Sequence, residues 1–272
     1  MKNRLSTILL ILVFLIGLSL LLYPSFRDWW NSFHQSKAIS DYAAAVAELD
    51  ETQYDQYWAE AWQYNRSLLE RSNSFLLSEE QKKQYPQLLD ISDNGVMGYV
   101  EIPAIHVTLP IYHGTSEGVL QVAIGHLEWT SLPVGGSSSH CVISGHRGLP
   151  SARLFTDLDE LVLGDIFMIR VLNEILTYQV DQILIVNPDE VDELLIHKDK
   201  DYCTLVTCTP YGINTHRILV RGHRIENIEE AAKIIVTADA MQIDPVVVAP
   251  MLAAPLLLLL LIGLLIPKKR RR

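Results

Sequence analysis

"TLVTCTPYGINTHRILVRG", residues 204–222, reads as two strands joined by a loop. Leu205 and Val206 favour the first strand; Ile218, Leu219 and Val220 favour the second. Thr209-Pro210-Tyr211-Gly212 between them is turn chemistry, because proline presets φ and glycine accepts φ > 0. Two residues do not fit a plain hairpin. Cys208 ends the first strand, and Arg217 sits inside the second. They are either core filler and a surface charge, or half of an active site.

The two ends of the chain decide where this thiol lives. Residues 7–22, "TILLILVFLIGLSLLL", are almost wholly apolar and follow Lys2 and Arg4. The bulky "YPSFRDWWNSFH" comes next, with no small-residue cleavage site, so the segment reads as an uncleaved anchor helix. Residues 246–266, "VVVAPMLAAPLLLLLLIGLLI", have the length a bilayer requires, and "KKRRR" follows. Basic flanks at both ends place both termini in the cytoplasm and the region between them outside the cell. That region holds all 32 acidic residues of the chain against 15 of its 22 basic ones. Such a surplus of negative charge argues against binding nucleic acid or anionic lipid. The other reading of 246–266 is a buried core helix, which the terminal basic cluster disfavours.

Three cysteines, Cys141, Cys203 and Cys208, therefore face an oxidising compartment, and an odd count leaves at least one free thiol. Cys203 and Cys208 are five apart on one strand, so they point to opposite faces and are not expected to pair. No Cys-x-x-Cys or other metal-ligand spacing is present, and no cofactor is expected.

Between the apolar ends the chain changes character once. Residues 27–71 are helical in pattern, with an aromatic stripe of Tyr42, Tyr54, Tyr57, Trp58 and Trp62 that reads as a packing seam. Residues 72–90 are polar and irregular around one apolar patch. From Val96 to about residue 225, short β-branched runs alternate with glycine and proline turns, a pattern that predicts a closed or nearly closed barrel. "LFTDLDEL" within it predicts one short helical turn.

A catalytic thiol requires a proton donor for its leaving group, and histidine is the usual one. Nine are present. His146, in "HCVISGHRGLP", ends an apolar strand where glycines begin, a placement like that of Cys208. His113 and His126 are the next candidates. His216 faces away from Arg217 by strand alternation, unless a bulge intervenes. For each of these the alternative is a structural histidine with satisfied hydrogen bonds.

"TLVTC" with an arginine nine residues later, and "SGHRG" some sixty residues earlier, resemble the sortases, membrane-anchored cysteine transpeptidases of Gram-positive bacteria. The resemblance extends through "GYVEIPAIHVTLPIYHGT", "GHLEWTSLPVGGSSSHCVISGHRGLPSARLFTDL" and "DYCTLVTCTPYGINTHRILVRG". "TCTPYGINTHR" and the second span are similar to class C, the pilin-polymerising sortases. The resemblance implies a mainly β fold: an eight-stranded sortase-type barrel with N-terminal helices, flanked by two transmembrane helices. It implies Cys208 as nucleophile, His146 as acid/base and Arg217 as electrostatic stabiliser. The implied substrates are pilin subunits with LPxTG-like sorting signals, joined to a pilin lysine. Class C enzymes often close the site with an Asp-Pro-aromatic lid; here Asn73, Ser74 and Phe75 stand in its place. The aromatic is kept, but the aspartate that would pair with the arginine and the rigid proline are both lost.

The implied organisation is a cytoplasmic stub and anchor (1–23), a helical segment with the lid (24–94) and the catalytic barrel (95–227). A linker (228–245), the second span (246–266) and a basic cytoplasmic tail (267–272) complete it. Three other readings compete. A housekeeping sortase would attach proteins to peptidoglycan. A membrane scaffold would carry Cys208 incidentally. An L,D-transpeptidase is suggested by "IYHGT" but lacks the Ser-x-Gly-Cys that such an enzyme requires.

Overall fold

The computed structural model describes residues 2–71, 75–149 and 152–227. The second apolar run, the linker before it and the basic tail lie outside these residues, as do Asn73 and Ser74 of the lid.

Helix α1 (Lys2–Ala47) is one continuous rod of 46 residues, or about 69 Å at 1.5 Å per residue. The sequence suggested an anchor and a separate helical segment divided near Pro24, but the helix runs through that proline. Helix formers on both sides carry the ladder past the one missing N–H. The break comes later, at Asp50. This residue caps α2 (Glu51–Leu69) by accepting from the Gln53 amide at 2.8 Å, while the Gln53 side chain accepts from the Asp50 amide at 3.1 Å. The apolar part of α1 has a mean hydropathy of 2.5 and is not buried against the protein. It is the one helix among the described residues long and apolar enough to cross a membrane.

Both helices dock on the barrel through polar atoms set within apolar seams. Tyr42 Oη donates to the Met97 carbonyl (3.1 Å) and accepts from the Leu172 amide (2.7 Å). Asn65 holds both backbone groups of Leu132, donating to its carbonyl and accepting from its amide. Trp58, Ala61, Asn65 and Leu68 fall on one helical face, and that face is buried. The expected aromatic seam is thus correct for Tyr42, Tyr54, Tyr57 and Trp58, all packed inward. Trp62 is half exposed; it lies one step round from Ala61, and Tyr64 is the aromatic that goes inside. Residues 72–90 are less irregular than their composition suggests. Ser78 and Gln81 form a second capping box, which starts the short helix α3 (Glu79–Gln84).

Eight strands follow: β1 (Val96–Ile102), β2 (Val107–His113), β3 (Ile124–His126), β4 (Ser139–Ser144), β5 (Ile166–Val171), β6 (Glu174–Val186), β7 (Asp201–Thr209) and β8 (His216–Arg224). They close into a barrel in the order β1-β2-β3-β4-β7-β8-β6-β5. "LFTDLDEL" forms a turn and a 3-10 segment, Leu158–Glu160, as its length suggested. Pairs β2–β3 and β4–β7 are parallel; the others are antiparallel. The β4–β7 pairing matters most. Parallel neighbours require a long crossover, here the β5–β6 hairpin, so chemistry carried sixty residues apart meets at one edge of the barrel.

Candidate active site

Alternation along β7 sorts its side chains. Cys203 and Leu205 join the interior core, while Val206 joins a second apolar cluster with Val142, Leu194 and Leu219. Cys208 lies two residues beyond Val206 and so shares its face. This thiol is partly exposed, whereas Cys141 and Cys203 are buried. Those two are direct partners across β4 and β7, both in the core. Sequence spacing separates Cys203 from Cys208, but only the parallel pairing reveals Cys141 as its neighbour. Burial pushes the Cys203 thiol well up, so it remains protonated.

The strand register assembles the rest. Ser144 of β4 is paired with Val206 of β7, and both strands run the same way. His146 and Cys208 each lie two residues further along, His146 in the loop that leaves β4 and Cys208 still within β7. Two bonds extend the pairing to this point: the Gly145 amide donates to Val206 O (3.0 Å), and Thr207 Oγ1 donates to Gly145 O (2.7 Å). On the other side of β7, Cys208 is paired directly with Arg217 of β8. Cys208 therefore sits on β7 with Arg217 of β8 paired to it on one side and, on the other, β4, whose outgoing loop carries His146. Arg217 lies two residues before Leu219, a member of the same outer cluster as Val206. Its Nη1 donates to the carbonyls of Asn214 (3.2 Å) and His216 (3.0 Å). These bonds lean the guanidinium on the β7–β8 loop, and its other donors remain for a ligand.

The competing histidines are accounted for by their partners. His113 lies between the carbonyls of Gly95 (2.9 Å) and Leu88 (2.6 Å), and burial lowers its pKa. His126 is wholly buried, with Tyr85 Oη at 2.9 Å from Nδ1 and Ser131 O at 2.8 Å from Nε2. His140 binds Leu195 O and Thr204 Oγ1 and is pulled down to about 4, chiefly by desolvation. His216 meets the neighbouring Thr215 hydroxyl. His113, half-buried, and the buried His126 and His140 are satisfied structural histidines.

Of the lid residues, Phe75 is described. Its ring packs edge-on against Trp129, with centroids 5.2 Å apart, and is 37% exposed. Arg71 ties this segment down by donating to Trp129 O at 2.8 Å. Trp129 packs against the outer cluster that includes Val206.

The sortase domain family matches residues 100–225, the stretch that forms the barrel. The crystal structure of sortase C1 from Streptococcus agalactiae is 52% identical; the match covers 71% of this chain and 100% of that one, with a TM-score of 0.69. This chain belongs to the sortase family. Sortase C-1 from Streptococcus pneumoniae is 47% identical over 71% of this sortase and 100% of its own chain, with a TM-score of 0.61. Among curated relatives, sortase D of Bacillus subtilis is 29% identical over 131 residues, 47% of this sortase and 63% of that protein. Sortase A of Streptococcus agalactiae is 24% identical over 227 residues, 81% of this sortase and 84% of the relative. The higher identity and full coverage lie with the class C structures, and the barrel with N-terminal helices is the architecture the motifs implied.

Proposed function

We propose that this sortase polymerises pilins, using Cys208, His146 and Arg217 as its catalytic residues. The observation that supports this most strongly is the strand register, which pairs Cys208 directly with Arg217 and starts the loop carrying His146 just beyond the Ser144–Val206 pair. Identity of 52% over the whole of a sortase C1 supports the class.

The chemistry follows from the side chains. The Cys208 thiolate attacks the carbonyl carbon between Thr and Gly of an LPxTG-like sorting signal. Negative charge moves onto the carbonyl oxygen, where the fixed donors of Arg217 offset it. The C–N bond then breaks, and imidazolium His146 gives its proton to the departing glycine amine. A thioester remains on Cys208. A lysine amine of a second pilin attacks that thioester, its proton passes to His146, and the C–S bond breaks. The thiolate is restored and an isopeptide bond joins the two subunits.

Topology serves this task. Helix α1 holds the barrel outside the membrane, and 246–266 serves as a second span with both termini in the cytoplasm. Co-expression with a pilin bearing an LPxTG-like signal should give an SDS-resistant ladder. A single adduct on peptidoglycan, with no ladder, would point to the wall-anchoring activity of a housekeeping sortase.

Asn73, Ser74 and Phe75 act as a weakly latched lid. Asn73 cannot form the ion pair that an aspartate would make with Arg217, and Ser74 leaves the backbone freer than proline would. Closure then rests on Phe75 against Trp129, a half-covered ring contact. Cys208 should react with a small thiol reagent before substrate arrives. Phe75→Ala should speed that labelling, and Asn73→Asp with Ser74→Pro should slow it. Identical rates in all three proteins would mean the segment does not cover the site.

A further inference from the structure

His146 stands two residues beyond the last paired residue of β4, just past the Gly145 amide that still donates to Val206 O. Its neighbour Arg147 crosses from this loop to two others. The Arg147 side chain is only 9% exposed and pairs through Nη2 with Asp159 Oδ2 on the 3-10 turn. Its Nη1 donates to Thr209 Oγ1 at 3.4 Å, and its guanidinium lies over the Tyr211 ring, 5.7 Å from the centroid. Thr209 and Tyr211 are the first and third residues after Cys208.

The contact between the loops is close. Gly148 has φ +74°, and a Cβ there would come within 3.0 Å of the Tyr211 ring. Backbone bonds run through the same corner: the Phe155 amide to His146 O (3.2 Å) and the Gly148 amide to Thr156 Oγ1 (3.2 Å). A buried guanidinium requires a counter-charge and several acceptors. Asp159 supplies the charge, yet Arg147 Nε is left buried without an acceptor. The fold keeps an incompletely satisfied charge where the His146 loop meets the Cys208 loop. Lysine could not span the carboxylate, the hydroxyl and the ring face together.

We propose that Arg147 is a positioning residue: with Asp159 and Tyr211 it clamps the His146 loop to the segment leaving Cys208 and so sets the distance between imidazole and thiol. This rests on the assignment of Cys208 and His146 as the reacting pair. Arg147 touches neither the thiol nor the substrate in this role. Loss of the clamp leaves the strands intact and lets the pair drift.

The test uses the full chain in lipid nanodiscs, with iodoacetamide and a fluorogenic peptide containing Leu-Pro-Glu-Thr-Gly as probes. Arg147→Gln and Asp159→Asn should each lower kcat on the order of tenfold to a hundredfold, the scale of a misplacement of about 1 Å. KM should change by no more than about twofold, because peptide contacts are untouched. The double variant should be no worse than the poorer single one, since both remove the same clamp. The pH profile of Cys208 alkylation in Arg147→Gln should move toward that of His146→Gln, a change that general loosening would not cause. If Arg147→Gln fails to fold, Asp159→Asn and Tyr211→Leu read the same clamp from its exposed ends. Wild-type kcat and an unmoved profile in folded Asp159→Asn and Tyr211→Leu would overturn the proposal. If instead His146→Gln leaves the profile unchanged, or Cys208→Ala still labels at the wild-type rate, the reacting pair itself is misassigned and the clamp falls with it.

Discussion

Cys208→Ala should abolish thioester formation and polymer growth while leaving the fold intact. Alanine carries no nucleophile, and the position is partly exposed at the end of β7, so truncation creates no enclosed cavity. Cys141→Ala and Cys203→Ala should behave in the opposite way. Both thiols are core residues, 2% and 0% exposed, and face each other across the β4–β7 pair. Their loss should cost about 1–2 kcal/mol of stability through the small void left behind, with turnover largely intact. Alkylation of the native protein should likewise modify one thiol per chain, and Cys208→Ala should remove it. Trapping a peptide thioester by mass spectrometry and measuring urea midpoints on the three variants separates these outcomes. A folded, inactive Cys203→Ala beside an active Cys208→Ala would overturn the assignment.

The second large effect concerns the flanking strands. His146→Ala should be nearly as damaging as loss of the thiol, since a positioned acid contributes roughly 10²–10⁴-fold. His113→Ala, His126→Ala and His216→Ala should retain the chemistry, although the first removes half-buried and the second buried hydrogen bonds, and both should lower stability. Arg217→Lys keeps the charge and loses the planar fork. It should reduce turnover by roughly a hundredfold, the scale of losing one oxyanion donor. Stopped-flow release of the leaving peptide from a fluorogenic LPxTG substrate would show whether acylation is the step affected. Near wild-type acylation by Arg217→Lys would mean that diffuse positive charge suffices and directed donors are not required.

Much of this site was legible from local chemistry. A thiol at a strand end, an arginine nine residues on and a histidine-arginine pair flanked by glycines stand out against apolar runs, because polar groups at a barrel rim interrupt the pattern that builds its wall. The anchor was equally plain, since sixteen nearly unbroken apolar residues at 7–22 have few other uses in water. The helical seam was read correctly at Trp58 but not at Trp62, because periodicity gives the face of a helix only to within about one residue.

The sequence alone determined the residue types at the rim, the periods of helix and strand, and the apolar N-terminal helix. These are local quantities, set by side-chain chemistry and by spacings of a few residues. Only the tertiary structure decided which distant segments touch. The parallel pairing of β4 with β7 brings the loop that carries His146 to the end of β7 and sets Cys141 against Cys203. It also laid Arg147 across Thr209 and Tyr211, a contact that no motif announces. Parallel pairing depends on a crossover of nearly sixty residues, and its register is selected by the packing of the whole barrel core. No short stretch of the chain contains that information.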